Sequence, residues 1–342
     1  MGNNTHILFA TAGYNIILMY RKKKPAGFDE RLQWSINLLK KAEKLALQYD
    51  PDDGFYLAFS AGKDSQALYH IAKLAGVKFQ AHMNFTSIDP PEVIRFCREH
   101  YPDVITHAPE DSIYNIAVNG KYLLPSRIIR WCCAILKETG GAGTVCLTGV
   151  RRQESIRRSK RNSVEVSNSS FSGDLDAFET WRKEKIAKKI QHLNQDQFSE
   201  QDEEQIRCIG GKDKIIVNPI IDWSESDVWY FLNEVVKVPH CSLYDRGYKR
   251  IGCICCPMAN YKQKLIELAD YPHVKRNWIN AIKRIREQGI AKNILTENYF
   301  GNGTEDEICE NIFQWWISGK SYDEWYAETF LQQRIDFGEE QQ

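Results

Sequence analysis

Two hydrophobic periods alternate along the first half of the chain. Phe28 to Tyr49 places Leu32, Ile36, Leu39, Ala42, Leu45 and Ala46 at helical spacing with lysines between them, the stripe of an amphipathic helix. Phe55 to Phe59 is a short, aromatic-rich apolar run after the turn-forming Pro51-Asp52-Asp53-Gly54, and it reads as a buried strand. From Gln66 to Lys73 the apolar positions Ala67, Leu68, Ile71 and Ala72 return to helical spacing. Val77 to Asn84 alternates after Ala75-Gly76 and predicts a second strand; Val104-Ile105-Thr106 predicts a third. Between them, Pro90-Pro91-Glu92 marks a helix N-terminus. Thr144 to Val150 and Ile215 to Ile221 read as further core strands, and Trp278 to Arg286 and Phe313 to Phe330 as helices. Strands alternating with helices imply an α/β fold: a parallel twisted sheet with helices on both faces, ligands at the C-terminal strand ends, and a helical C-terminal region.

The pattern breaks after Arg161. Asn162 to Lys214 is polar and heavily charged, and predicts an insertion, part helix and part mobile loop. The expected organisation is an N-terminal arm (1–26), an α/β domain (27–161 and 214–260), a charged insertion (162–213) and a helical C-terminal region (261–342). His6 to Tyr20 is apolar but short, interrupted by Thr11, Gly13 and Asn15 and without basic residues before it. It reads as a buried strand or interaction arm, not as a signal peptide or a membrane span.

Charge narrows the partners little. Lys+Arg and Asp+Glu both number 45 in 342 residues, so no global field draws the protein to nucleic acid or membrane. Ten cysteines are bunched at Cys132-Cys133 and Cys253-Ile-Cys255-Cys256, with the rest scattered, which suggests a metal site before disulfides and a cytoplasmic location.

Between the first strand and the second helix lies Ser60-Ala61-Gly62-Lys63-Asp64-Ser65. A strand, a loop of small polar residues and a helix N-terminus form an anion site, where N–H groups and the helix dipole face a phosphate. Gly62 permits backbone geometry other residues resist, Ser60 and Ser65 offer hydroxyls, and Lys63 adds a point charge. The spacing does not fit a Walker A loop. Ser-x-Gly-x-Asp-Ser instead resembles the pyrophosphate-binding loop of the adenine nucleotide alpha-hydrolase (PP-loop ATP pyrophosphatase) superfamily. The bland alternative is a turn that merely caps a helix.

Cys253 and Cys256 have the Cys-x-x-Cys spacing of metal and iron–sulfur ligation, and Cys132-Cys133 would complete four ligands. Adjacent cysteines fit one tetrahedral zinc poorly and a cluster better, so a [4Fe–4S] cluster, zinc and unligated thiols stand in that order. The order Cys-Cys, long gap, Cys-x-x-Cys is similar to the cluster signature of the phosphoadenosine phosphosulfate (PAPS/APS) reductase family, and Lys137 stands where that family has a lysine. Thr148-Gly149-Val150-Arg151-Arg152-Gln153-Glu154-Ser155-Ile156-Arg157 resembles its nucleotide loop. Asn218 to Trp229, Pro239 to Gly252 and Pro91-Glu92 resemble three more of its segments.

The resemblance implies nucleotide binding by Ser60, Gly62, Lys63, Asp64, Ser65, Gly149, Arg151, Arg152 and Arg157, catalysis by Lys63 and Asp64, and metal ligation by Cys132, Cys133, Cys253 and Cys256. Arginines can clamp phosphate or sulfate with forked hydrogen bonds. Asp222-Trp223 reads first as a helix cap packed on the sheet, and His240 as structural or exposed.

The reductases end in a cysteine-bearing segment that attacks the sulfonucleotide. Here Arg334 to Gln342 carries no cysteine, and Cys309 lacks that segment's glycine and histidine. Three functions follow. The first is cleavage of ATP to AMP and pyrophosphate with Mg2+, activating a nucleic-acid or small-molecule sulfur acceptor, with a cysteine desulfurase or thioredoxin as sulfur-donor protein. The second is true APS or PAPS reduction to sulfite, with Cys255 or Cys309 in place of the missing thiol. The third is a non-catalytic nucleotide- and cluster-binding subunit.

Overall fold

In the computed structural model, the described residues are 23–120, 124–169, 171–192, 213–288, 300–301 and 303–331. The expectation for His6 to Tyr20 falls outside them, as do Cys208 and the acidic run from Ser199. The chain divides into two compact units. The first comprises Met1–Asn84, Pro91–His107 and Thr139–Ile251; the second comprises Phe85–Pro90, Ala108–Glu138 and Gly252–Gln342.

The first unit opens with α1 (Phe28–Tyr49), which buries Ser35, Leu38, Leu39, Ala42, Leu45, Ala46 and Tyr49 on one stripe. Asp29 and Glu30 sit in its first turn, where the helix dipole favours acids, and Pro51 bars its continuation. Next come β1 (Phe55–Ala58), α2 (Lys63–Ala75), β2 (Phe79–Asn84), α3 (Pro91–His100) and β3 (Ile105–His107). Gly76, in the left-handed region, ends α2.

In the second unit, α4 (Ile113–Asn119) and α5 (Trp131–Leu136) are followed, much later in the chain, by α9 (Tyr261–Asp270), α10 (Pro272–Glu287), α11 (Glu305–Ser318) and α12 (Tyr322–Tyr326). Its core gathers Ile113, Val118, Val274, Trp278, Ile282, Phe300, Ile312 and Phe313. The helical C-terminal region is therefore as the periodicity implied.

Back in the first unit are β4 (Val145–Leu147), α6 (Ile156–Ser159), β5 (Val164–Val166), β6 (Ser172–Gly173), α7 (Leu175–His192), β7 (Ile215–Val217) and α8 (Glu225–Tyr230). The sheet runs β3-β2-β1-β4-β7-β5-β6. Its first five strands are parallel, and β5 pairs antiparallel with both β7 and β6. The α/β class holds, with a mixed edge: part of the charged stretch 162–213 extends the sheet.

Strand order reverses between β1 and β4. Successive strands leave β1 on one side through β2 and β3, whereas β4 lies on the other. In an open α/β sheet this reversal leaves a crevice at the C-terminal strand ends, the usual ligand position. The loops leaving β1 and β4 are Ser60–Ser65 and Thr148–Arg158.

Candidate functional site

The loop after β1 is braced from within. The Ser60 N–H donates to Ser65 Oγ at 3.1 Å, and Ser65 Oγ donates to the Gly62 carbonyl at 2.9 Å. Ser65 is buried and its one proton is used inside the loop, while Ser60 is exposed. Ala61 holds a φ of 54°, a left-handed conformation that costs a non-glycine residue about 1 kcal/mol or more. Its carbonyl accepts from Nε2 of fully buried Gln66 at 3.0 Å, which stabilises that conformation.

Four N–H groups point out of the start of α2. The Lys63 N–H donates to the buried Tyr244 hydroxyl at 2.8 Å. Those of Gly62, Asp64 and Ser65 take no acceptor among the described residues. Lys63 is buried, with Nζ 3.1 Å from Asp64 Oδ2 and 3.8 Å from Glu225 Oε1. Arg151, also buried, donates from Nε to Asp64 Oδ1 at 2.7 Å. One carboxylate thus holds both cations at the helix N-terminus. The loop after β4 comes this close because residue 149 is glycine. A Cβ there would stand 3.0 Å from the Asp64 backbone carbon and oxygen.

Arg152 and Arg158 of that loop are committed elsewhere. Arg152 pairs with Asp222 and donates to the Arg161 carbonyl, Arg158 pairs with Glu154, and Arg161 with Glu165. Arg157 is exposed on α6. Of the three arginines expected to bind nucleotide, the fold brings Arg151 alone into contact with the loop. Trp223 is structural, buried with its indole N–H donating to Ser35 Oγ at 3.0 Å. His240 pairs with Asp245 at 2.9 Å.

The second unit gathers the paired cysteines. Cys132 and Cys133 lie in the first turn of α5, and Cys253, Cys255 and Cys256 in the turn before α9; all five line one cavity with Lys137. Its open space is about 370 Å³, mouth included, and its walls are Ile88, Ile113, Leu136, Trp278 and Trp316. Thr86 Oγ1 donates to Cys253 Sγ at 3.4 Å. A hydrogen bond from Cys132 lowers the Cys133 pKa against the effect of burial, with help from Arg130 and Lys137, and correspondingly raises that of Cys132. Burial opposes the Lys137 charge, but Cys253 and Asp89 outweigh it and raise the lysine's pKa.

Among the described residues no three His, Cys, Asp or Glu side chains are placed to hold a single metal ion. The donor set suits a larger group: four thiols from two segments, with cations beside them to offset thiolate charge. A further fit comes from Trp278, a fully buried cavity wall whose indole N–H has no partner among the described residues. A buried donor without an acceptor is costly unless a bound group completes it. Cys255 and Cys309 are different: both are buried, and burial pushes each thiol up to about 12.

Residues 54–259 match the family defined as the phosphoadenosine phosphosulfate reductase domain. The chain belongs to that family. The matched stretch of this reductase-family domain contains the loop after β1, the loop after β4 and all four expected ligand cysteines. Two uncharacterized proteins of Methanocaldococcus jannaschii are similar. One is 33% identical over 106 residues, 30% of this chain and 21% of that protein. The other is 24% identical over 246 residues, 68% of this chain and 42% of that protein. An adenosine 5'-phosphosulfate reductase of Allochromatium vinosum is 44% identical over 43 residues, 13% of this chain and 16% of that enzyme. The chain spans less than half the length of these curated relatives. The crystal structure of a phosphoadenylyl-sulfate (PAPS) reductase from Candida auris is 17% identical, covering 68% of this chain and 97% of that one at a TM-score of 0.39. Among the described residues, no helix of this family member is long and apolar enough to cross a membrane.

Sequence reasoning passed over Tyr244, Gln66 and Trp278. Tyr244 lies inside a family-like segment, which was a signal without a role. The other two read as ordinary helix residues.

Proposed function

We propose that this protein binds an adenine nucleotide at Ser60–Ser65 and cleaves ATP to AMP and pyrophosphate, activating an acceptor for sulfur transfer. The observation that carries the reading is the convergence at one helix N-terminus of unpartnered N–H groups, the exposed Ser60 hydroxyl, Lys63 and Arg151. An acceptor oxygen attacks the α-phosphorus, the bond from phosphorus to the bridging oxygen breaks, and pyrophosphate leaves carrying the electron pair. The acceptor is left adenylated, and sulfur attack on its carbon then expels AMP. Such a displacement needs positioning and charge neutralisation. Lys63 and the N–H groups meet the departing charge, and Asp64 keeps Lys63 and Arg151 in place.

Mg2+, when bound, shields phosphate charge. Asp64 is already shared by two cations, so exposed Glu225 is the carboxylate at the loop left to meet the ion. In the second unit, Cys132, Cys133, Cys253 and Cys256 would hold a [4Fe–4S] cluster, with Lys137 and Thr86 beside them. When bound, such a cluster would supply one-electron chemistry, its four irons each held by one of the four thiolates. The acceptor is a nucleic acid or a small molecule, and a cysteine desulfurase or thioredoxin is the class of donor.

Reduction of APS or PAPS to sulfite is the second reading, favoured by the reductases named among the relatives. It requires a nucleophilic thiolate. Cys255 and Cys309, buried and held protonated, are poor ones. Anaerobically purified protein given ATP and, separately, APS or PAPS separates the readings. Pyrophosphate release supports the proposal; sulfite release with no pyrophosphate from ATP overturns it.

A further inference from the structure

The Cys253–Cys256 turn contains a conformation that its own sequence disfavours. Cys255 has φ 57°, the left-handed region that L residues other than glycine, asparagine and aspartate seldom adopt. This inversion lets Cys253, Cys255 and Cys256 all line one cavity. Something outside the turn must hold it. The Cys255 N–H donates to Oε2 of Glu267 on α9 at 2.7 Å, and Glu267 is itself buried. Its other oxygen accepts from Gln263 Nε2 at 3.1 Å. Nearby Lys264, also buried, is committed to the Ile317 carbonyl at 2.9 Å. The flanks of the turn are fixed by backbone contacts: Ile254 N–H to the Ile88 carbonyl at 2.9 Å, and Ala259 N–H to the Cys256 carbonyl at 2.9 Å. Arg127 also braces the exit of the turn, donating to the Pro257 and Ala259 carbonyls at 3.2 and 3.3 Å, but the N–H of the inverted residue is held by Glu267.

We propose that Glu267 is the positioning residue of the cysteine site, and that its carboxylate pins the Cys255 N–H so that Cys253 and Cys256 face a common ligand. The inference rests on the cluster reading of that site. Among the described residues Glu267 bonds to the Cys255 N–H and Gln263 and not to the Cys253 or Cys256 sulfur, so its effect passes through the turn. Buried carboxylates are rare because they are costly to desolvate, and this one spends both oxygens on the turn and on its own support. Glutamine keeps one carbonyl oxygen and can still accept from Cys255; alanine cannot. Glycine at 255 removes the strain that makes a pin necessary.

The full chain and its Glu267→Gln, Glu267→Ala, Cys255→Gly and Glu267→Ala/Cys255→Gly variants are purified anaerobically. Iron per chain and the visible absorption spectrum are recorded, with amide hydrogen exchange of the 253–256 segment on metal-free protein. Losing one charge-assisted bond to a buried N–H corresponds to at least about a fivefold drop in iron retention for Glu267→Ala. Glu267→Gln retains iron and the double variant regains it, whereas exchange of the residue-255 N–H quickens in both variants that carry Glu267→Ala, which lack its acceptor, and not in Glu267→Gln or Cys255→Gly. A role confined to packing α9 would not be rescued by glycine at 255, so failure of that rescue overturns the proposal, as does unchanged exchange in Glu267→Ala. If the parent chain binds no iron, the cluster reading falls, and the hydrogen-exchange comparison still decides the pin.

Discussion

Replacing Gly62 with alanine separates a glycine required by the protein from one required by its ligand. Gly62 has φ −81° and ψ 158°, extended backbone open to any residue. A Cβ would meet Ser60 Oγ at 3.5 Å and the Tyr244 hydroxyl at 3.6 Å, ordinary contacts. Nothing internal therefore demands glycine, contrary to the expectation that the loop needs a conformation other residues resist at this position. Alanine is a poorer N-cap by roughly 0.5–1 kcal/mol, whereas restricting the unfolded chain returns about 0.4–1 kcal/mol. The two nearly cancel, and Tm should move by less than about 2 °C. The added methyl stands where a phosphate must approach the N–H groups of Gly62, Asp64 and Ser65. Losing one charge-assisted hydrogen bond, about 1.5–3 kcal/mol, weakens nucleotide binding roughly 10- to 100-fold. Calorimetric titration with a non-hydrolysable ATP analogue, alongside scanning calorimetry, reads both quantities. A Gly62→Ala protein with parental affinity would refute the phosphate-cradle argument; one that unfolds would refute the steric argument.

Arg151→Met should cost about 2 kcal/mol in urea unfolding as well as nucleotide affinity. It breaks a buried pair, but Asp64 keeps Lys63 and some solvent. Arg152→Ala, which removes the pair with Asp222, should change affinity less than threefold in the same titration. His70, lowered to about 4 by burial and by Lys73, is neutral in the fold and bound to the Tyr101 hydroxyl. The unfolded chain binds that proton from about pH 6.5 downward, so stability falls between about pH 6.5 and 4. After discounting for the ring's partial exposure, the loss is about 1–2 kcal/mol, and the pH profile of His70→Gln should lack it. Trp278→Phe should lower metal-free stability by about 1–2 kcal/mol, the lost core volume outweighing removal of an unpaired N–H, and lower the midpoint potential of iron-loaded protein, since donors to sulfur raise it. An unchanged potential would mean that the indole N–H meets nothing in the loaded state.

Much of the architecture was legible because its cause is local. The stripe from Leu32 to Ala46 lies on one helix whatever it packs against, and that helix was read to its ends. The β1 loop was legible for the same reason, since an apolar run, a small-residue loop and a helix stripe are consecutive. The edge strands were not. Val164–Val166 is three residues in a charged stretch, and becomes a strand only by pairing with Ile215–Val217.

The arginine loop marks the limit of reading along the chain. Four arginines in eight residues look like one anion clamp, but three of them, Arg151, Arg152 and Arg158, are paired with Asp64, Asp222 and Glu154, which lie at very different distances in sequence, and Arg157 is exposed. Only Arg151 lies over the loop, because Gly149 lets the backbone pass. The sequence by itself determined which residue types were available: a phosphate-sized loop, four paired thiols, a sheet to carry them. Tertiary structure decided which of them act together. Hydrogen bonds and ion pairs depend on distance in space, so Tyr244 meeting Lys63, Gln66 holding Ala61 and Glu267 holding Cys255 are written in the fold and in no stretch of sequence.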